Sequence, residues 1–135
     1  MILVDSSVWI DFFSSAPGPA SEELAKLIEQ LEPLALTGVV VTEVLQGLKR
    51  DARLVEGYLA QVKMLEPQGL STYLNAAAIF RTARSKGISL ATIDALIAAV
   101  ALEYDAAVFT LDKDFTSIAL ITNLRLHQLS ANRPT

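Results

Sequence analysis

Five acidic residues sit where chemistry is usually done: Asp5, Glu43, Asp94, Asp112 and Asp114. Asp5 ends the apolar run Ile2-Leu3-Val4, and Glu43 lies in the segment after Leu34 to Thr37. Asp94 opens the stripe that begins at Ile93, and Asp112 and Asp114 follow Ala106 to Thr110. Singly, each has an ordinary use. Asp5 can cap the next helix, Glu43 can be a solvated helix residue, Asp94 can be a dipole-favoured first-turn acid, and Asp112 and Asp114 can form Asx-turns. Together they are harder to dismiss. Two carboxylates about 5 Å apart repel by roughly 3 kcal/mol at an effective dielectric near 20. A pocket holding four must therefore take up protons or hold a cation. The sequence has no cysteine and one histidine, His127. Disulfides, thiolate sites and a zinc site are excluded, and a Ser-His-Asp triad has little to stand on. An all-oxygen site suits a hard divalent ion, Mg²⁺ or Mn²⁺, which can activate water, polarise a phosphoryl oxygen and steady a leaving alkoxide.

Such acids act together only if the fold gathers them. Ile2 to Val4, Leu34 to Thr37, Met64 to Glu66, Ala106 to Thr110 and Arg125 to Gln128 read as short strands. Between them lie helical patterns. Ser6 or Ser7 caps a helix bearing Val8, Trp9, Phe12 and Phe13. Leu24, Leu27, Ile28 and Leu31 form an amphipathic stripe closed by Pro33. Further helices are read over Val39 to Leu48, over Leu54 to Val62, and over Leu70 to Ser85 with Ser71 as cap and Gly87 past its end. Ile93 to Tyr104, capped by Thr92, and a short segment from Lys113 complete the set. Alternating strands and helices imply a parallel α/β sheet, and ligands of such sheets bind outside the carboxyl ends of the strands. Each of the five acids follows a strand or starts a helix there. Glu103 is the contrast, about half a turn round its helix from Asp94 and so facing elsewhere.

Composition sets the outer bounds. The 135 residues fit one domain, with 52% hydrophobic and only 19% charged residues, as for a sheet covered on both faces. The longest stretch free of charged residues, Pro67 to Phe80, is too short to span a bilayer. The N-terminus lacks a basic region ahead of its apolar run, so no signal peptide is read and a cytoplasmic protein is expected. The net charge of −4 argues against a nucleic-acid partner unless acids fill one pocket and bases ring it. Two basic groups exist: Lys49, Arg50 and Arg53, and Arg81, Arg84 and Lys86. Each alone reads first as a solvated helix face; with a metal pocket between them they become candidates for gripping RNA phosphates.

Four motifs in order carry a resemblance: VDSSVWIDF, TGVVVTEVLQGL, TIDALIAAVAL and VFTLDKDF. The chain resembles the PIN-domain family, specifically its VapC-type ribonuclease toxins, over residues 1–135 as a single domain. The resemblance implies a three-layer α/β/α fold with a five-stranded parallel sheet. It implies Mg²⁺- or Mn²⁺-dependent cleavage of RNA, transfer RNA foremost, with Asp5, Glu43, Asp94 and Asp112 as catalytic metal ligands and Asp114 as a further acid of the metal site. Ser6 and Thr110 fall at hydroxyl positions that orient carboxylates or waters. A homodimer and a cognate VapB-type antitoxin, whose tail covers the active-site groove, are also implied. The chain departs from many relatives in having Ala95 where they have cysteine, and Leu90 and Ala91 where some have a basic residue.

Other classes fit less well. A receiver domain wants an acceptor Asp at the third strand end, where Leu65-Glu66-Pro67 offers only a glutamate. A haloacid-dehalogenase-like phosphatase wants Asp-x-Asp, where this chain has Asp5-Ser6-Ser7. The strongest rival is a non-catalytic PIN-like module binding RNA or protein, which usually lacks one or more of the four acids. Trp9, Phe12 and Phe13 are expected to be core for at least two of the three, with a partner groove as the alternative.

Overall fold

The computed structural model describes residues 1–129. Four strands form one parallel sheet: β1 (Ile2–Val4), β2 (Leu34–Leu36), β3 (Lys63–Met64) and β4 (Ala107–Phe109), in the order β3-β2-β1-β4. Central β1 aligns Leu3 with Ala35 on one side and with Val108 on the other. Its Leu3 and Val4 are fully buried, which is why the run is apolar without alternation.

Among the described residues seven helices flank the strands: α1 (Ser6–Phe12), α2 (Pro19–Glu29), α3 (Gly38–Gly47), α4 (Ala52–Leu59), α5 (Leu70–Ser85) and α6 (Thr92–Glu103) in the crossovers, and α7 (Asp114–Ile121) after β4. The crossovers from β1 to β2 and from β2 to β3 step the same way across the sheet. Right-handed connection therefore places α1 to α4 on one face. The crossover from β3 to β4 runs back past β1, so α5 and α6 cover the other face. The packing agrees: α1 meets α2 and α3, while α5, α6 and α7 meet one another. The reversal puts a topological switch point beside β1, between the strands that lead to Asp5 and to Asp112. No helix among the described residues is long and apolar enough to cross a membrane.

Helix α6 is apolar nearly all round, with Ala95, Ile97, Ala98, Ala99, Val100 and Ala101 buried. Its alanines let it approach α5, α7 and β4 closely. Trp9 is fully buried and its indole N–H donates to the Val4 carbonyl at 3.2 Å. Phe12 and Phe13 pack against the same core, and their rings contact Trp9 and Tyr58. Asp11 Oδ2 closes the following loop by accepting from Gly18 N–H at 3.1 Å and Ser21 Oγ at 2.6 Å. The Ser21 bond first holds the Asp11 carboxyl below its ordinary range.

Several sequence expectations are corrected. Leu31 is not in α2: the helix ends at Glu29, and Leu31 takes a left-handed conformation (φ 56°) with 88% of its surface exposed. Its N–H bonds to Ile28 O and that of Glu32 to Leu27 O, the closure usually made by glycine. The segment Arg125 to Gln128 is not a fifth strand. It meets β4 at one parallel bridge, Val108 to Leu126, because its side chains are anchored elsewhere: Arg125 on Asp105 and His127 on Glu23. The third strand is Lys63–Met64 and not Met64 to Glu66. The expected hydroxyl caps are also absent. Asp5, Gly69 and Ala91 hold the cap positions of α1, α5 and α6, none with a side-chain cap bond.

Candidate metal centre

The site lies at the carboxyl ends of β1, β2 and β4. Carboxylate oxygens of Asp94, Asp112 and Asp114 come within 4.8 Å of one another. Two helix starts and one loop bring them there. Asp94 is in the first turn of α6, Asp114 opens α7, and Asp112 lies between β4 and α7. The loop is tied by Asp112 Oδ1, which accepts from Asp114 N–H at 2.9 Å. The Asx-turn expected for Asp112 is thus present, and it sets up the cluster. Asp114 Oδ2 accepts from Ala91 N–H at 3.4 Å, linking α7 to the start of α6.

Asp5 and Glu43 stand outside the 4.8 Å group and are joined to the site by hydroxyls. Asp5 is buried, and its Oδ2 accepts from Ser7 Oγ at 2.9 Å and Thr110 Oγ1 at 2.8 Å. Ser6 Oγ donates to Glu43 Oε1 at 3.1 Å, tying α1 to α3. Thr110 and Ser6, the two hydroxyls singled out in the sequence, thus each bond a carboxylate, that of Asp5 and that of Glu43. Ser7 was missed. In sequence a serine after a strand-end acid reads as a helix cap, and nothing local announces that its partners are Asp5 and the loop after β4. Glu103 faces away, accepting from Thr72 Oγ1 and Gln68 N–H on the α5 side.

Electrostatics mark Asp94. Burial first, then a hydrogen bond with the Asp114 carboxyl and the charges of Asp112, Asp114 and Asp5, push its carboxyl up to about 8. Without a cation the cluster thus keeps a proton at neutral pH, the alternative to a metal that crowded carboxylates require. The donor set is all oxygen and half-exposed, and it fits a hard divalent ion that keeps part of its water shell.

The basic residues form two exposed groups. Arg81 and Arg84 line a cavity of about 410 Å³ between α5 and α6, together with Tyr73, Phe80, Thr92 and Leu96. The Arg84 guanidinium lies 5.8 Å from the Phe80 ring centre. Thr92, Ala95 and Leu96 form the α6 wall of this cavity, and Asp94 is not part of its lining. Lys49 and Arg50 line a second cavity of about 500 Å³ with Ile10, Phe13 and Leu54. Arg53 and Lys86 are exposed on α4 and at the end of α5 without lining either cavity.

The chain matches the PIN domain family over residues 2–120. It is 34% identical over 133 residues to a VapC ribonuclease of Mycobacterium bovis and to ribonuclease VapC11 of Mycobacterium tuberculosis, covering 93% of this chain and 96% of each relative. Among solved structures, VapBC-1 from nontypeable Haemophilus influenzae is similar with a TM-score of 0.76, covering 96% of this chain and 99% of that one at 23% identity.

Proposed function

The chain belongs to the PIN domain family, and from that premise we propose that it is the ribonuclease toxin of a type II toxin–antitoxin pair. It cleaves RNA, transfer RNA foremost, in the cytoplasm, and a VapB-type antitoxin restrains it. The working form is a homodimer. The observation that carries this reading is the three-carboxylate cluster at the sheet's switch point, with Asp5 and Glu43 tethered beside it by hydroxyls.

Asp5, Glu43, Asp94 and Asp112 would hold Mg²⁺ or Mn²⁺, with Asp114 as a further acid at its edge. Such an ion supplies neutralising charge at a phosphodiester and makes water a better nucleophile at neutral pH. The residues themselves do the positioning. Asp112 Oδ1 holds the loop that presents its own carboxylate, and Asp114 keeps the start of α6 against it. Asp94 keeps its proton at neutral pH in the metal-free protein, and would give it up on holding a cation. Arg81 and Arg84 on one side, and Lys49, Arg50 and Arg53 on the other, bind phosphates flanking the cleaved bond, with Lys86 extending the first group. An acidic protein can thereby hold an acidic polymer, the bases binding its phosphates and the carboxylates' charge being neutralised where a cation would sit.

The test is end-sequencing of cellular RNA after brief expression of the intact chain and of Asp5→Asn. New ends should appear with the intact chain and fall by about 100-fold or more in the variant. A folded Asp5→Asn protein that still generates those ends would overturn the reading.

A further inference from the structure

We propose that Ser7 is a positioning residue that, with Thr110, fixes Asp5 so that only Oδ1 is offered to the cation; this rests on the metal-site reading above. The argument is a count of protons and lone pairs. A serine or threonine hydroxyl has one proton to donate, and a carboxylate oxygen has two lone pairs. Ser7 Oγ lies 2.9 Å from Asp5 Oδ2 and 2.9 Å from Leu111 N. Thr110 Oγ1 lies 2.8 Å from the same Oδ2 and 2.9 Å from Asp112 N. Backbone N–H groups can only donate, so Leu111 donates to Ser7 and Asp112 donates to Thr110. Each hydroxyl keeps its single proton, and Asp5 Oδ2, at 2.9 and 2.8 Å, is a nearer acceptor than the other hydroxyl. The 3.4 Å approach of the two hydroxyls to each other is left without a proton of its own.

Two consequences follow. Both lone pairs of Oδ2 are occupied, while Oδ1 accepts no hydrogen bond among the described residues. The carboxylate is therefore held in one orientation, with Oδ1 the oxygen left available to a cation. The same hydroxyls also tie Asp5, at the end of β1, to the backbone of residues 111 and 112, which carries Asp112. Ser7 and Thr110 thus set the spacing between two ligands from different strands. Neighbouring Ser6 is directed at Glu43 instead, so one Ser-Ser pair serves two acids.

The test compares the intact chain, Ser7→Ala and Ser7→Thr by calorimetric titration with Mn²⁺ and by amide hydrogen exchange without metal. Ser7→Ala should weaken Mn²⁺ binding by about 10- to 100-fold and lose protection at the Leu111 amide while Asp112 keeps its own. Ser7→Thr, which retains the hydroxyl, should restore both. Undiminished Mn²⁺ affinity in Ser7→Ala would overturn the proposal and leave the metal site standing. Unchanged Leu111 protection in that variant would overturn it independently of any metal. Failure of the intact chain to bind Mn²⁺ would overturn the metal reading, and this proposal with it.

Discussion

Asp5 is buried with one oxygen fully bonded, and Asp94 is half-buried with a proton retained to about 8. At this scale the site is a set of polar groups whose partners lie far away in sequence. The acids were legible because a charge at the end of a buried strand needs a reason. The hydroxyls of Ser6 and Thr110 were legible only through the family resemblance, and that of Ser7 was not, because a capping serine and a carboxylate-orienting serine look alike until distant elements are brought together. Thr37 shows the opposite case. It holds the cap position of α3, yet its Oγ1 is buried, caps nothing and has no hydrogen-bond partner among the described residues. A buried hydroxyl without a partner costs about 1–3 kcal/mol. Thr37→Val, which keeps the shape and removes the orphan, should raise stability by about 1 kcal/mol in urea unfolding. A loss of similar size would mean that the hydroxyl has a partner in solution.

Helices and strands position these residues through their ends. The existence and order of the main elements were legible from periodicity; their termini were not, because caps and turns are decided by tertiary partners. The expected serine and threonine caps of α1, α5 and α6 gave way to residues with no side-chain cap bond. Two such hydroxyls, those of Ser6 and Ser7, bridge to Glu43 and Asp5 instead. The fifth strand failed because periodicity cannot tell a bridge from a strand when side-chain anchors set the path. Leu31 continued the apolar stripe in sequence, but Pro33 and the left-handed closure of α2 place it in solvent. An L-residue in that conformation costs roughly 1–2 kcal/mol, partly offset in glycine by greater freedom when unfolded. Leu31→Gly should therefore stabilise the chain by about 1 kcal/mol and raise its thermal midpoint by roughly 3 °C. A lowered midpoint would show that the leucine makes a stabilising contact that outweighs its backbone strain.

The whole molecule carries a net charge of −4 and gathers part of it in one carboxylate cluster. That arrangement makes metal-free stability depend on pH. An acid whose folded pKa lies above its unfolded value binds its proton more tightly when folded. For Asp94 the benefit is complete below the ordinary 3.8 and is lost as pH rises through about 8. With a chelator present, the thermal midpoint should be lower near about pH 8 than near about pH 5. Asp94→Asn should flatten that fall, and Mn²⁺ should raise the midpoint of the intact chain more at the higher pH, where protons no longer compete. A fall of equal steepness in Asp94→Asn would assign the dependence to other groups. The most direct measurement is anomalous diffraction from crystals of the intact chain soaked in Mn²⁺. A peak is expected within about 2.2 Å of carboxylate oxygens of Asp94 and Asp112, on the side of Asp5 Oδ1. Well-ordered crystals with no manganese at these carboxylates, or with manganese bound only elsewhere, would contradict the account.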